Sequence, residues 1–206
     1  MTLYDYLLEI FGTNEPIFSA DIQFQNYSKP WIAKELNKLC ESENLIRYER
    51  GIYYIPTDTP FGKSSLNPYK VIERKYINDG KSINGFYSGM TILNRLGLTT
   101  QMPNTLEICT NNETTKVRTV KVGSQQLTLR RARTTVTNKN VDVLRFLELM
   151  NFVPSDFWGE ERLSLITDYI QTTGINRKAI SEYAPYFPDK AMRNLVESEV
   201  IYRVAQ

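Results

Sequence analysis

A chain of 206 residues, 41% hydrophobic and 23% charged, is long enough to bury one large core or two modest ones, and this ordinary balance excludes wholesale disorder. It contains no histidine, which excludes Ser-His-Asp and Cys-His catalysis, histidine-bearing zinc sites and histidine proton shuttles. The net charge is only +2 but unevenly spread: residues 1–60 hold 5 Lys/Arg against 9 Asp/Glu, residues 61–140 hold 13 against 4, and residues 141–206 hold 7 against 10. Such segregation points to a partner met mainly by the middle segment.

No run of about 18 apolar residues occurs, and no basic, apolar leader stands at Met1, so neither a membrane span nor a secretory signal is expected. Cys40 and Cys109 stand alone in apolar patterns and read as buried free thiols. That usage fits a reducing, cytoplasmic setting.

In chain order, residues 3–11 predict a helix with Leu3, Tyr6, Leu7 and Ile10 on one stripe, ended by Gly12. Ile17-Phe18 is a short apolar stretch, after which Ser19 is placed to cap a brief second helix over 20–24. Ser28 is the N-cap of a third helix with Pro30 in its first turn, running to about Ser42 with Ile32, Leu36, Leu39 and Cys40 inward. Two strands follow, Leu45–Tyr48 and Ile52–Ile55, around a tight turn at Gly51, where φ is expected to be positive. Three short helices and a tight hairpin within about 56 residues is the order of a winged helix-turn-helix.

Residues 57–68, rich in Pro, Gly, Ser and Thr, predict a boundary. Helices are expected over 69–77 and 87–96. The period then changes to two: Thr105–Thr110, Thr115–Val122 and Gln126–Arg133 predict antiparallel strands with hairpin turns at Asn111-Asn112 and Gly123-Ser124. Helices over 141–151, 160–173, 176–183 and 189–198 complete the chain. The expected class is therefore α+β. A winged helix over 1–60 precedes a domain over 61–206, the latter divided into helices plus a small antiparallel sheet (61–137) and a helical part (138–206).

Two sets of residues carry binding chemistry. Ser28, Lys29, Trp31 and Lys34, at the start of the third helix, are placed to reach phosphates or base edges of double-stranded DNA. Arg47, Arg50 and Tyr53 sit on the wing, where an adjacent groove is usually met. The acidic balance of residues 1–60 leaves a protein-interaction winged helix as the other reading. The second set, Lys116, Arg118, Lys121, Arg130, Arg131 and Arg133, lies in the predicted strands. It reads as a solvated face, a surface for an acidic protein partner, or a nucleic-acid contact.

Signs of catalysis are weak. Glu73-Arg74-Lys75 matches an acidic-x-Lys nuclease fragment, but that fragment works on a strand, and here the pattern is helical, so the two ends diverge. Gly62-Lys63-Ser64 lacks the upstream glycine of a phosphate loop, and Glu160-Glu161 suits a helix start. No enzyme activity, metal or cofactor is expected.

Three stretches together resemble the AbiEi-like antitoxins of bacterial type IV toxin–antitoxin systems: residues 46–56 (IRYERGIYYIP), Phe61-Gly62, and residues 89–103 (GMTILNRLGLTTQMP). The shared marks are the arginine-Gly-aromatic-Tyr wing ahead of Pro56, and the small-residue helix ending Leu96-Gly97-Leu98 before a polar-Pro turn and strands. The resemblance spans about residues 1–135. It implies a cytoplasmic antitoxin of the abortive-infection, phage-defence type. Such a protein represses its own operon through the winged helix and counters a nucleotidyltransferase-like toxin through its larger C-terminal part, without catalysis of its own. The alternative is a stand-alone winged-helix transcriptional regulator with an effector- or protein-binding C-terminal domain.

Overall fold

The computed structural model describes residues 1–204, which form two compact units divided between Arg74 and Lys75. The architecture mixes α and β elements, as the change of period along the chain implies. Among the described residues no helix is long and apolar enough to cross a membrane.

In the first unit, α1 (Leu3–Phe11) begins with a reciprocal cap: the Asp5 amide donates to the Thr2 hydroxyl at 3.1 Å and the Thr2 amide to the Asp5 carboxylate at 2.9 Å. β1 (Ile17–Phe18) follows. The helix expected over 20–24 does not form; Ser19–Tyr27 is turn and irregular chain. Ile22 and Phe24 are both buried, while Asp21 before them and Gln23 between them are exposed. Only extended backbone puts residues two apart on one side, and Gln25, at φ +47°, ends the segment.

The Ser28 hydroxyl caps α2 (Lys29–Glu41), accepting from the Trp31 amide at 3.4 Å, with Pro30 in the first turn. Ile32 and Leu36 turn inward from α2 onto Leu3, Leu7, Ile17 and Leu45. β2 (Ile46–Glu49) and β3 (Ile52–Tyr54) form an antiparallel hairpin in a sheet ordered β1-β3-β2. Gly51, at φ +78°, makes its turn, and the Ser19 amide donates to the Gly51 carbonyl at 2.9 Å. Flanked on both sides, β3 is buried at all three residues.

The stretch 57–68 is tied down rather than a free linker. It holds a minimal hairpin of β4 (Asp58–Thr59) and β5 (Gly62–Lys63). The Thr57 amide donates to the Ser64 hydroxyl at 2.9 Å, and the Tyr54 hydroxyl to the Ser64 carbonyl at 3.0 Å. Within α3 (Pro68–Tyr76), Lys70 pairs with Glu15 and Arg74 pairs with Asp21 at 2.8 Å. These bonds carry the first unit to Arg74, past the boundary expected at 60.

The second unit holds β6 (Gly85–Tyr87), α4 (Gly89–Arg95), β7 (Thr105–Thr110), β8 (Val117–Val122) and β9 (Gln125–Arg131). The sheet order is β6-β7-β9-β8, and it is not purely antiparallel: β7 pairs with β9 in parallel, Leu106 beside Leu127 and Ile108 beside Leu129. Gly123-Ser124 is a hairpin turn as expected, but Asn111-Asn112 is not, because β7 and β8 never pair. The Asn111 side chain instead accepts from the Val136 amide at 2.9 Å and donates to the Val136 carbonyl at 2.8 Å. That pair ties the end of β7 to the chain leaving β9. The fully buried Leu127 and Leu129 need a neighbour on each side, whereas the exposed Arg118, Thr119 and Lys121 suit the sheet edge.

Phe86 and Cys109 of the sheet share a core with the C-terminal helices α5 (Val141–Phe152), α6 (Glu160–Thr173), α7 (Arg177–Tyr183) and α8 (Asp189–Glu197). α5 is the central helix, buried along most of its length. Its C-terminal carbonyls find a partner in buried Asn194 of α8, whose amide donates to Met150 O at 2.9 Å and Val153 O at 2.6 Å.

Candidate nucleic-acid interface

At the start of α2 the Ser28 hydroxyl serves as a helix cap, Lys29 and Lys34 are exposed, and Trp31 is half-buried. Three residues apart, Trp31 and Lys34 lie on one stripe of the helix, with Lys38 next on it. Lys38 is tied to Glu35 at 2.5 Å, but neither Lys29 nor Lys34 has an ionic partner among the described residues. Sequence reasoning missed an aromatic stack here. The Trp31 ring lies 3.9 Å from that of Tyr27 at an interplanar angle of 17°, and buried Phe24 stacks below both, at 5.6 Å from Tyr27 and 6.1 Å from Trp31. Tyr27 is 46% exposed, so an aromatic face flanked by cations reaches solvent. The run Phe24-x-x-Tyr27-x-x-x-Trp31 was the available signal.

On the hairpin, Arg47 and Arg50 are exposed, with the Arg47 guanidinium 6.0 Å from the Tyr53 ring centroid and Arg50 free of any ionic partner among the described residues. Tyr53 is a correction. It is 6% exposed on central strand β3, paired with Ile17 on one side and Arg47 on the other, and belongs to the core.

Of the six cations predicted on strands, Lys116 and Arg133 fall just outside β8 and β9, and the six divide in half. Arg118 binds Glu113 through Nε at 2.9 Å and a terminal nitrogen at 2.8 Å, while the Glu113 side chain is only 2% exposed. Burial pushes the Glu113 carboxyl up, but the Thr115 amide and hydroxyl and the Arg118 guanidinium outweigh it and hold the group below its usual range. Arg130 meets Glu107 at 3.3 Å, and the other Glu107 oxygen accepts from the Met90 amide at 3.3 Å. A Cβ at Gly89, whose φ is +57°, would overlap that oxygen, so this close approach requires glycine. Arg133 binds Glu148 at 2.9 Å and lies 5.2 Å from the Phe187 ring centroid. Lys116, Lys121 and Arg131 are exposed, without ionic partners among the described residues.

The two cysteines are free; Cys40 is half-buried and Cys109 buried. Burial pushes the Cys109 thiol up to about 12, so it is protonated at neutral pH and is no nucleophile. Glu73 and Lys75 lie in α3, on a helix, where the acidic-x-Lys pattern does not converge.

Comparison with curated proteins finds no match to the chain. Residues 16–147, well over half of the sequence and drawn from both compact units, match the model of a family of unknown function (DUF6088), and the chain belongs to that family.

Proposed function

We propose that the N-terminal unit is a winged helix-turn-helix that binds double-stranded DNA. We further propose that the chain is the antitoxin and autorepressor of a type IV toxin–antitoxin system, countering a nucleotidyltransferase-like toxin. The observation that carries the DNA-binding half is the set of exposed cations Lys29, Lys34 and Arg50, without ionic partners among the described residues, at the start of α2 and the tip of the β2–β3 hairpin. In a helix-turn-helix the last helix enters the major groove with its N-terminal residues toward the bases. The order α1, β1, α2, β2, β3 with a three-stranded sheet supports the winged form, although turn and irregular chain at Ser19–Tyr27 takes the place of a middle helix. The antitoxin half is supported by the resemblance of residues 46–56, 61–62 and 89–103. The test is co-expression: the neighbouring reading frame should arrest growth alone, the full chain should relieve the arrest, and it should also repress the shared promoter.

A second reading, a stand-alone winged-helix regulator with a protein- or effector-binding C-terminal unit, is favoured by the ion pairs of Arg118, Arg130 and Arg133. These leave fewer cations free for an acidic toxin. Repression that persists with no growth arrest by the neighbour would select it.

A further inference from the structure

We infer that β8 is a docking edge at which an extended acidic segment of a protein partner adds to the sheet as a fifth strand. The inference deepens, and rests on, the reading of the second unit as a surface for an acidic protein partner.

β8 is the terminal strand of the order β6-β7-β9-β8, so one of its edges has no neighbour among the described strands. The Arg131 amide donates to the Lys116 carbonyl at 3.4 Å, and the antiparallel register continues unshifted from Val117↔Arg130 to Val122↔Gln125. In an antiparallel pair, alternate residues turn both backbone groups toward the partner. Lys116, Arg118, Val120 and Val122 therefore bond β9, while Val117, Thr119 and Lys121 turn their amides and carbonyls outward. The strand is six residues long, without a bulge or a proline, and Val117 on it is 46% exposed. Edges of this kind are blunted by shortness, a bulge, proline or charged side chains, and of these devices β8 has only the charges, Arg118 and Lys121 on it and Lys116 just before it. Beside it, Thr119, Val120, Lys121, Ser124 and Gln126 line an open concavity of about 510 Å³.

Charge selects the occupant. Lys116 and Lys121 are exposed and without ionic partners among the described residues, while Arg118 is held by Glu113. By strand alternation Lys116 and Arg118 lie on one face of β8 and Lys121 on the other. Pairing with a second copy of β8 would bring like charges together, which is unfavourable across strands, whereas acidic residues on either face of an incoming strand would each meet a cation. Backbone bonds to Val117, Thr119 and Lys121 would supply affinity, and the flanking cations specificity.

The test uses the full chain and two synthetic ten-residue peptides, one alternating Glu with Val and Thr, the other with Lys in place of Glu. Amide exchange followed by NMR should show the Glu peptide slowing Val117, Thr119 and Lys121 at least tenfold. Arg118, Val120 and Val122, already bonded to β9, should hardly change. Thr119→Pro removes one outward amide without touching the β9 ladder, and should weaken the Glu peptide at least tenfold at unchanged melting temperature. Should Thr119→Pro fail to fold, the pair Lys116→Glu and Lys121→Glu decides instead, by switching preference to the Lys peptide. No binding of the Glu peptide, protection elsewhere, or indifference to these variants overturns the inference. Self-association through β8 that the peptide does not compete with assigns the edge to a second copy and also overturns it. Growth rescue reports separately on the antitoxin reading: rescue without peptide binding removes only the strand-addition inference, and peptide binding without rescue removes only the antitoxin reading.

Discussion

The two units differ in charge by count, yet each holds some cations in ion pairs and leaves others exposed. The first sixty residues are acidic by count, yet Lys29, Lys34 and Arg50 are exposed and without ionic partners among the described residues. The middle segment is strongly basic by count, yet Arg118, Arg130 and Arg133 are each held by a carboxylate of their own unit. Net charge along a sequence is therefore a poor guide to which surface attracts an anionic partner. What matters is which charges the fold leaves unpaired.

Substitutions put this contrast to the test. Tyr53→Ala should produce the largest loss of stability, about 3 kcal/mol or more, because it empties a core site on the central strand β3. A urea melt checks it; a variant with native stability and weakened DNA binding would return Tyr53 to the surface set. Arg118→Ala should cost about 2 kcal/mol by stripping a charged hydrogen-bond partner from buried Glu113. Lys121→Ala, at an exposed cation of the same strand, should stay within about 0.5 kcal/mol. Equal effects for the two would erase the distinction between held and free cations. Gly51→Val should cost about 1–2 kcal/mol, because φ is +78° and the new Cβ would meet the Ser19 hydroxyl oxygen at 3.2 Å.

Acid gives a gentler probe of the Arg118–Glu113 pair. The folded-state pKa of Glu113 is lowered from 4.5, so its contribution to stability is complete above that value and is lost as pH falls through the folded pKa. Melting temperatures of wild type and Arg118→Ala should therefore converge as the pH drops below about 4.5, the ordinary glutamate range. A gap that stays constant down to about pH 2, below the carboxylate range, would mean that the pair contributes nothing through charge.

Much of the fold is legible locally. Ser28, Pro30 and Gly51 mark a helix start and a turn because caps and turns depend on a few adjacent residues. The helices over 141–173 keep their predicted ends to within a residue for the same reason. What escapes is non-local. Nothing in the spacing of β7, β8 and β9 marks β9 as the strand that runs parallel to β7, since that pairing depends on Asn111 meeting Val136 far along the chain. The tie between Arg133 and Glu148 joins the chain just beyond β9 to α5, and the counts of the two segments conceal it. Ile22 and Phe24 mislead for another reason: a short apolar pair fits either a helical or an extended period.

The most direct measurement is a gel-shift salt series on the operator region with wild type and the triple variant Lys29→Ala, Lys34→Ala, Arg50→Ala. Removing one phosphate partner should flatten the log–log salt slope by roughly 0.9 and lower the affinity at low salt. The triple variant is expected to fold as wild type does but to bind weakly, with a slope flatter by two to three such steps. Wild-type affinity and an unchanged slope in the folded triple variant would contradict DNA binding through α2 and the hairpin.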